Sequence, residues 1–214
     1  MTKQAAPKLR DAERTRSEIL AAAAEEFGSR GFGGARVDAV AERAGASKRM
    51  IYHYFVDKEG LYDAVLEAAY AEVRVAEAAL DLQALSPVDA LRRLVEHTFD
   101  YDESHPAFVR LVAAENLDEA RGPARTKPLQ TINAEALSLI EGVLRRGRAE
   151  GVFSRDVEPL DLHLLISALC FFRVANRHTF GVAFGVDLTS PTLRDRHRRM
   201  AVEVVLARVG VRQS

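Results

Sequence analysis

The chain has 214 residues, 48% of them apolar and 29% charged, which is the composition of a soluble globular protein, and its formal net charge of −1 gives no overall signal for nucleic acid. Its one cysteine, Cys170, excludes a disulfide framework within the chain, and we expect no signal peptide, because the N-terminus is polar and lacks the apolar core of one. No stretch approaches the roughly 18 uninterrupted apolar residues of a membrane helix. We therefore predict a cytoplasmic protein.

The N-terminal quarter of the chain predicts a short arm followed by a helix. Residues 1–10 are polar and basic and predict a disordered arm, which could reach the DNA backbone or stay solvated. Apolar residues at helical spacing from residue 11 to about residue 29 predict the first helix, and the glycines of 28–34 end it.

The stretch 37–62, VDAVAERAGASKRMIYHYFVDKEGLY, predicts two short helices joined by a turn at 44–47. Val37, Val40 and Ala41 share one face of the first helix, and Ile51 and Phe55 share one face of the second. The opposite side of the second helix is left with polar groups suited to phosphates and base edges. The pattern indicates a helix-turn-helix, and we predict a DNA-binding domain over 11–57.

The remainder, 58–214, predicts a larger helical domain for ligand binding and dimerisation, joined to the first by a helix that begins at residue 58. Ser86 and Pro87 are a helix start signal, Ser as N-cap and Pro at the first position. A helix predicted over about 159–178 is apolar nearly all round, which favours a second subunit as its cover. No run with period 2 favours a strand, so we predict an all-α chain of about nine helices. The predicted helices after the helix-turn-helix span about 58–80, 86–104, 105–117, 129–151, 159–178 and 191–209, with a loop at 118–126.

The motif FGSRGFGG at 27–34, followed by the stretch 37–62, resembles the N-terminal domain of the tetracycline-repressor (TetR) family of bacterial transcription regulators. The sequences HPAFVRLVAAENL at 105–117 and FFRVANRHTFGVAFGVDL at 171–188 resemble one C-terminal subgroup of that family. The resemblance implies a homodimer whose last two helices pair into a four-helix bundle. It also implies a ligand pocket in each larger domain and release of the operator when a ligand binds.

The candidates for DNA contact lie on the second helix of the motif and at the starts of neighbouring helices. Lys and Arg pair with guanine acceptors or phosphates, and Tyr can donate to a phosphate. Arg36 stands where relatives often carry a small hydroxyl residue; it can reach phosphate but cannot cap, so Asp38 or a water is left to satisfy that helix end. The alternative is a solvated polar face. The predicted DNA-binding residues are Arg36, Ser47, Lys48, Arg49, Tyr52, His53 and Lys58.

The candidates for ligand contact are polar residues on otherwise apolar helices, with aromatic residues as apolar lining. Buried polar groups need partners. A ligand could be one, but these groups could also bond each other or cross the dimer interface. The predicted ligand-binding residues are Phe99, Phe108, Glu115, Asn116, Phe171, Arg173 and Asn176.

We predict no cofactor and no metal site, because the six histidines form no i, i+4 pair and have no partner cysteines. The glycines of 28–34 follow a helix rather than a strand and so do not form a dinucleotide loop. Cys170 is predicted to pack in the core or an interface. The leading hypothesis is a ligand-responsive, homodimeric repressor of a palindromic double-stranded DNA operator, with an unknown small-molecule effector. The alternative is a dimeric small-molecule-binding module with an activating or lapsed DNA-binding role; no catalytic signature supports an enzyme.

Overall fold

The computed structural model describes residues 5–117, 119 and 127–211, and every regular element in this part of the chain is helical, which confirms the all-α prediction. Ten α-helices and one short 3-10 helix (Leu82–Ala84) are found there, against about nine predicted. The α-helices are α1 (Ala5–Gly34), α2 (Val37–Arg43), α3 (Lys48–Phe55), α4 (Lys58–Ala78), α5 (Pro87–Ser104), α6 (Pro106–Leu117), α7 (Lys127–Ala149), α8 (Pro159–Ala175), α9 (Arg177–Phe184) and α10 (Pro191–Arg208).

The start of α1 corrects one prediction. Residues 5–10 form its first turns rather than a disordered arm, while residues 1–4 lie outside the described part. The predicted break of the helix at the glycines after residue 29 is confirmed, because the helical geometry is interrupted there. Gly31, with φ 64° and ψ 175°, interrupts the helical geometry at a conformation that favours glycine. The glycine run is therefore a kink within α1.

The chain divides into two compact units, residues 1–71 with 110–130 and residues 72–109 with 131–214. Their boundaries fall within α4, α6 and α7, rather than at the predicted division between 57 and 58. The last two turns of α6 thus belong to the unit that holds the helix-turn-helix. The buried core of this first unit comprises Ile19, Ala22, Ala23, Phe27, Ala35, Val37, Val40, Ile51, Phe55, Leu61, Tyr62, Val65, Leu66, Leu111 and Leu129.

The second unit is built on α5, α7, α8 and α10. Ser86 accepts a hydrogen bond from the backbone N–H of Asp89, and Pro87 occupies the first turn of α5, so the predicted start signal is confirmed. Cys170 is buried in this core, as predicted. The core residues from these helices include Leu91, Leu94, Val95, Phe99, Ile140, Val143, Leu144, Leu162, Ile166, Cys170, Ala201, Val202 and Val205.

The end of the predicted apolar helix differs from the prediction. The apolar helix predicted to reach residue 178 ends at Ala175, and the chain then forms the separate α9. The loop predicted at 118–126 lies outside the described residues except for Glu119. Among the described helices, none alone has the length and hydropathy to cross a membrane; α8 and α9 meet those criteria only as a pair, bent by 70°.

Candidate nucleic-acid interface

Helices α2 and α3 form a helix-turn-helix whose turn and caps follow from local sequence. Gly45 adopts φ +60°, a left-handed conformation that glycine reaches without steric cost, and the N–H of Ala46 donates to the carbonyl of Ala41 at 3.0 Å. Ser47 is the N-cap of α3, and its hydroxyl accepts from the N–H of Met50 at 3.1 Å. These contacts fix where α3 begins.

The two sides of α3 differ sharply. Ile51 is fully buried and Phe55 nearly so, and both pack in the core of the first unit. The structure brings four of the predicted contact residues together on the exposed side: Lys48, Arg49, Tyr52 and His53. This side is polar, basic and accessible, which is the chemistry that a groove-reading helix requires.

Lys48 is paired across the motif with Asp38 of α2. Its Nζ lies 3.0 Å from Oδ1 and 3.3 Å from Oδ2, and both side chains are about half exposed. The hydrogen bond to Asp38, followed by the charge of that carboxylate, raises the pKa of Lys48 above its usual value. Asp38 therefore binds a residue of the reading face and does not cap α2 as the sequence led us to expect.

The start of α2 is held by a buried carboxylate on α1. Arg36 is the N-cap residue and makes no side-chain capping bond, but its backbone N–H donates to Oε1 of Glu26 at 3.1 Å. Glu26 is almost completely buried and also pairs with Arg30 at 3.4 Å and Arg43 at 3.9 Å. The side chain of Arg36 remains exposed. One carboxylate thus ties α1 to both ends of α2.

The connection between α3 and α4 is a strained turn at Val56. Its φ of 66° and ψ of −59°, together with an N–H of Asp57 that donates to the carbonyl of Phe55 at 2.7 Å, define a γ-turn of the uncommon positive-φ type. A β-branched residue rarely adopts such a conformation. Gly60 is required nearby, because a Cβ at this position would lie 2.3 Å from the same carbonyl oxygen.

Lys58, the first residue of α4, lies over the ring of Phe32, with its Nζ 4.8 Å from the ring centroid. Asp57 caps the same helix by accepting from the N–H of Gly60 at 2.7 Å. The cation–π contact holds the ammonium group beside the last turn of α1. A contact between Lys58 and DNA phosphate stays a prediction.

Two predicted ligand-contact residues of the second unit, Arg173 and Phe99, contact other protein groups. Arg173 is buried, pairs with Glu103, donates to the carbonyl of Leu188, and donates from Nε to Nδ1 of His197 at 3.3 Å. Its guanidinium also lies 5.0 Å from the centroid of the buried Phe99 ring. Arg173 therefore contacts Phe99, and protein groups satisfy its hydrogen bonds. We call Arg173 with its partners Glu103, Leu188 and His197 the Arg173 hub.

The other five candidates are not gathered into one site. Glu115 and Asn116 belong to the first unit, where Glu115 is buried and accepts from the hydroxyl of Tyr62, and the exposed Asn116 donates to the carbonyl of Val112 at 2.9 Å. The remaining three lie in the second unit. Phe171 and Phe108 are partly buried there, and Asn176 donates to the carbonyl of Phe172 at 3.2 Å.

Sequence reasoning missed the role of Glu26, although a signal was present. Glu26 follows Ile19 and Ala23 at helical spacing, so an acid falls on the buried side of α1. A charged residue in such a position needs partners from elsewhere in the fold. Among the described residues, no group of three or more His, Cys, Asp or Glu side chains is arranged to hold a metal ion.

Comparison with known protein families matches most of the chain. Residues 19–65 match the family model described as "Bacterial regulatory proteins, tetR family". Residues 87–205 match the model described as "Tetracyclin repressor-like, C-terminal domain". The first match covers the helix-turn-helix, and the second covers most of the second unit.

Individual relatives agree with these matches. The chain is 37% identical to the HTH-type transcriptional repressor NicS of Pseudomonas putida over 87% of this chain and 88% of the relative. It is 30% identical to the HTH-type transcriptional repressor SCO4008 of Streptomyces coelicolor, over 92% and 97%. A solved structure named as a transcriptional regulator, SCO4942 of Streptomyces coelicolor, is 28% identical, with a TM-score of 0.66 over 92% of this chain and 99% of the other.

Proposed function

The chain belongs to the TetR family of bacterial transcription regulators, and from this premise we propose that it represses transcription as a homodimer that a small molecule releases from its operator. The two relatives named above are both called repressors, which supports repression rather than activation. These relatives are regulators, which favours a non-enzymatic role. Because bacterial DNA lies in the cytoplasm, the protein acts there.

The exposed side of α3 is the observation that carries this proposal. Arg49 and Tyr52 lie at its centre, one turn apart, and are directed away from the core that buries Ile51 and Phe55. Arg49 would read a base edge or a phosphate, and Tyr52 a phosphate or a thymine methyl group. Lys48 would contact DNA only when Asp38 releases it. Contacts from the remaining candidates would fix the register of the helix on the duplex: Arg36, Ser47, His53 and Lys58.

The homodimer is supported by an uncovered apolar stripe. Leu160, Leu164 and Phe172 recur at multiples of four residues along α8, and each is more than half exposed. Met200 and Val204 are exposed one turn apart on α10. Pairing of α8 and α10 with their copies in a second subunit would remove these side chains from water. Two recognition helices would then read half-sites about 34–36 Å apart.

The effector would bind in the second unit, which the C-terminal family model matches. Phe99, Phe108, Phe171 and Asn176 remain candidates for its lining. Arg173 would act through the hub it forms. Ligand contacts of Glu115 and Asn116, which belong to the first unit, stay a prediction. A ligand that binds more tightly to the form incompatible with the operator shifts the population towards that form.

The DNA-binding test is a variant of the reading face. Selection from random duplexes should first yield a palindromic site. The Arg49→Ala/Tyr52→Ala variant should then bind this site at least about tenfold more weakly, because each good base contact contributes about 1–3 kcal/mol, while its sedimentation coefficient stays that of the parent. Arg92→Ala, which removes an exposed positive charge on α5, is the control. Unchanged affinity of the double variant, or the absence of any enriched site, would contradict the proposal.

The dimer has its own test. Leu164→Glu places a charge within the α8 stripe and should convert the dimer into a monomer in analytical ultracentrifugation. Val75→Glu is the matched control, since Val75 is exposed to a similar degree, 72% against 68%, but lies on α4. If both variants remain dimeric, or if both become monomers, the α8 stripe is not the interface.

A further inference from the structure

A group of polar side chains in the second unit is unexplained by any role assigned so far. Arg74 and Glu77 come from α4, one turn apart, and His97, Tyr101 and Asp102 come from α5. His163, from α8, completes the set. We call these six residues the polar cluster. Glu77, Tyr101 and Asp102 are buried, and the side chain of Arg74 is 91% removed from solvent.

Arg74 has donors without acceptors. Its Nη1 lies 2.8 Å from Oε2 of Glu77, but the geometry is not that of a hydrogen bond, and neither Nη1 nor Nε donates to any described residue. Nε2 of His97 is buried and likewise has no partner in the described part of the chain. Most buried polar atoms in proteins are satisfied, so three such nitrogens in one cluster call for an explanation.

The electrostatics place these groups in one environment. Burial, followed by the charge of Arg74, lowers the pKa of His163. Burial, followed by the charge of Arg93, lowers the pKa of His97, and Arg74 acts in the same direction. Both imidazoles are therefore neutral at pH 7 and can donate or accept a hydrogen bond. The positive charge of Arg74 thus lowers the pKa of both imidazole rings.

The acidic members show why one negative charge is the appropriate complement. Burial raises the pKa of Glu77 against the opposing charge of Arg74, and burial also raises the pKa of Asp102 to about 7. Nε and Nη1 of Arg74 nevertheless have no acceptor among the described residues, so the guanidinium still lacks a complement. A dianion would meet two carboxyl groups, and an ammonium group would meet the guanidinium. A single carboxylate accepts from Arg74 and from one neutral imidazole without either conflict.

A group of aromatic rings adjoins His97 of the polar cluster. The ring of Tyr101 lies 5.8 Å from that of His97, stacks on His105 with centroids 3.9 Å apart, and meets the ring of Phe108 edge-on at 6.1 Å. Aromatic faces of this kind pack well against a planar ring. The predicted lining residue Phe108 thus lies next to the cluster.

We propose that the polar cluster is the effector site and that the effector is a compact ring carboxylate whose carboxylate group binds Arg74. This inference rests on the proposed function, in which the second unit binds the effector. In the proposed complex, His97 or His163 donates the second hydrogen bond to the carboxylate, and the ring of the ligand packs beside Tyr101. Arg74 is a ligand-binding residue here and has no part in reading DNA.

Benzoate, benzamide and benzylamine are suitable probes, because they share a ring and differ in charge at one position. Isothermal titration of the full-length protein without DNA should show benzoate binding, with benzamide and benzylamine at least about tenfold weaker, the range expected when a charged hydrogen bond is lost. Arg74→Gln should weaken benzoate binding by about 10- to 100-fold. Arg92→Gln, on the exposed side of α5, should leave it unchanged.

Because Arg74→Gln leaves Glu77 without its cation, folding of the variant is checked by circular dichroism. If that variant does not fold, Arg74→Gln/Glu77→Gln removes the pair together and serves in its place. Equal or tighter binding of benzamide or benzylamine, unchanged benzoate binding in the Arg74 variant, or no binding of any of the three overturns the inference.

The outcomes also separate this inference from the proposed function. Operator binding by the parent with no response of the protein to benzoate refutes the ring-carboxylate site and leaves the regulator intact. Benzoate binding through Arg74 by a protein that selects no DNA site supports the ligand site and refutes the operator-binding role. If both proposals hold, benzoate releases the selected operator from the parent, while the Arg74 variant binds that operator and is not released.

Discussion

The ion pair between Asp38 and Lys48 gives the sharpest prediction about DNA binding. Lys48 begins the reading helix, but its ammonium group is held 3.0 Å from a carboxylate of α2. In this position its charge is offset, and the carboxylate itself repels phosphate. Asp38→Asn frees the ammonium group. If Lys48 then gains one phosphate contact, the slope of log affinity against log salt steepens by about 0.9.

This slope has a measurable consequence. A fourfold rise in salt, from about 50 to about 200 mM, should weaken DNA binding by the variant about 3.5-fold more than binding by the parent. The gain in affinity at low salt should appear on a scrambled duplex as well as on the selected operator, since a phosphate contact carries no sequence information. Asp38→Asn therefore binds both duplexes more tightly at low salt, and the ratio of its affinities for operator and scrambled duplex stays that of the parent.

Fluorescence anisotropy at three salt concentrations, on operator and scrambled duplexes, measures both effects. Glu42→Gln is the matched control, because it removes the same charge from another exposed position of α2 where no described residue forms an ion pair. Adding Lys48→Gln to Asp38→Asn should restore the parental slope. Equal slopes for Asp38→Asn and Glu42→Gln would refute the reasoning. It would also be refuted if Lys48→Gln alone made the slope of log affinity against log salt shallower by about 0.9, the value of one phosphate contact.

Three further predictions concern stability and are measured by chemical denaturation. Val56→Gly should raise the free energy of unfolding by about 1 kcal/mol, since relief of about 1–3 kcal/mol of backbone strain exceeds the added flexibility of glycine; a loss would contradict the strained turn. Gly147→Ala should cost about 1–3 kcal/mol, because its Cβ would lie 2.1 Å from the ring of Phe153. Gly142→Ala in the same helix meets nothing within 4 Å and should gain about 0.5–1 kcal/mol, so equal effects would refute the contact. The pKa of Asp102 is raised to about 7. Because the unfolded chain loses that proton near pH 4, stability falls as pH rises between these values. The advantage of Asp102→Asn over the parent should therefore grow from about pH 4 to about pH 7 and then level off.

The elements of the fold that depend on nearby residues could be predicted from the sequence. Ser47 and Ser86 cap helices through bonds to residues three positions ahead, and the periodic apolar faces of α2 and α3 decide which sides are buried. The exposed face of α3 followed from the same spacing. These signals are local, so a single sequence contains them.

The features that were missed depend on pairs that are distant in sequence. Asp38 or a water was expected to satisfy the start of α2, and the pairing of Asp38 with Lys48 across the turn was not foreseen. Arg173 was predicted to bind a ligand or another polar group, but its partners were not foreseen: Glu103, 70 residues away, and His197, 24 residues away. Spacing along one helix cannot show which other helix supplies a partner.

The hub at Arg173 has a consequence for how the second unit opens. Its guanidinium joins α5 through Glu103, α10 through His197, and the segment after α9 through the carbonyl of Leu188. Separating any one of these elements leaves a buried cation short of a partner, so the free energy of partial opening approaches that of opening all of them. The slowest amides of α5, α8 and α10 should therefore exchange with one common free energy of opening, as expected if these three helices unfold together.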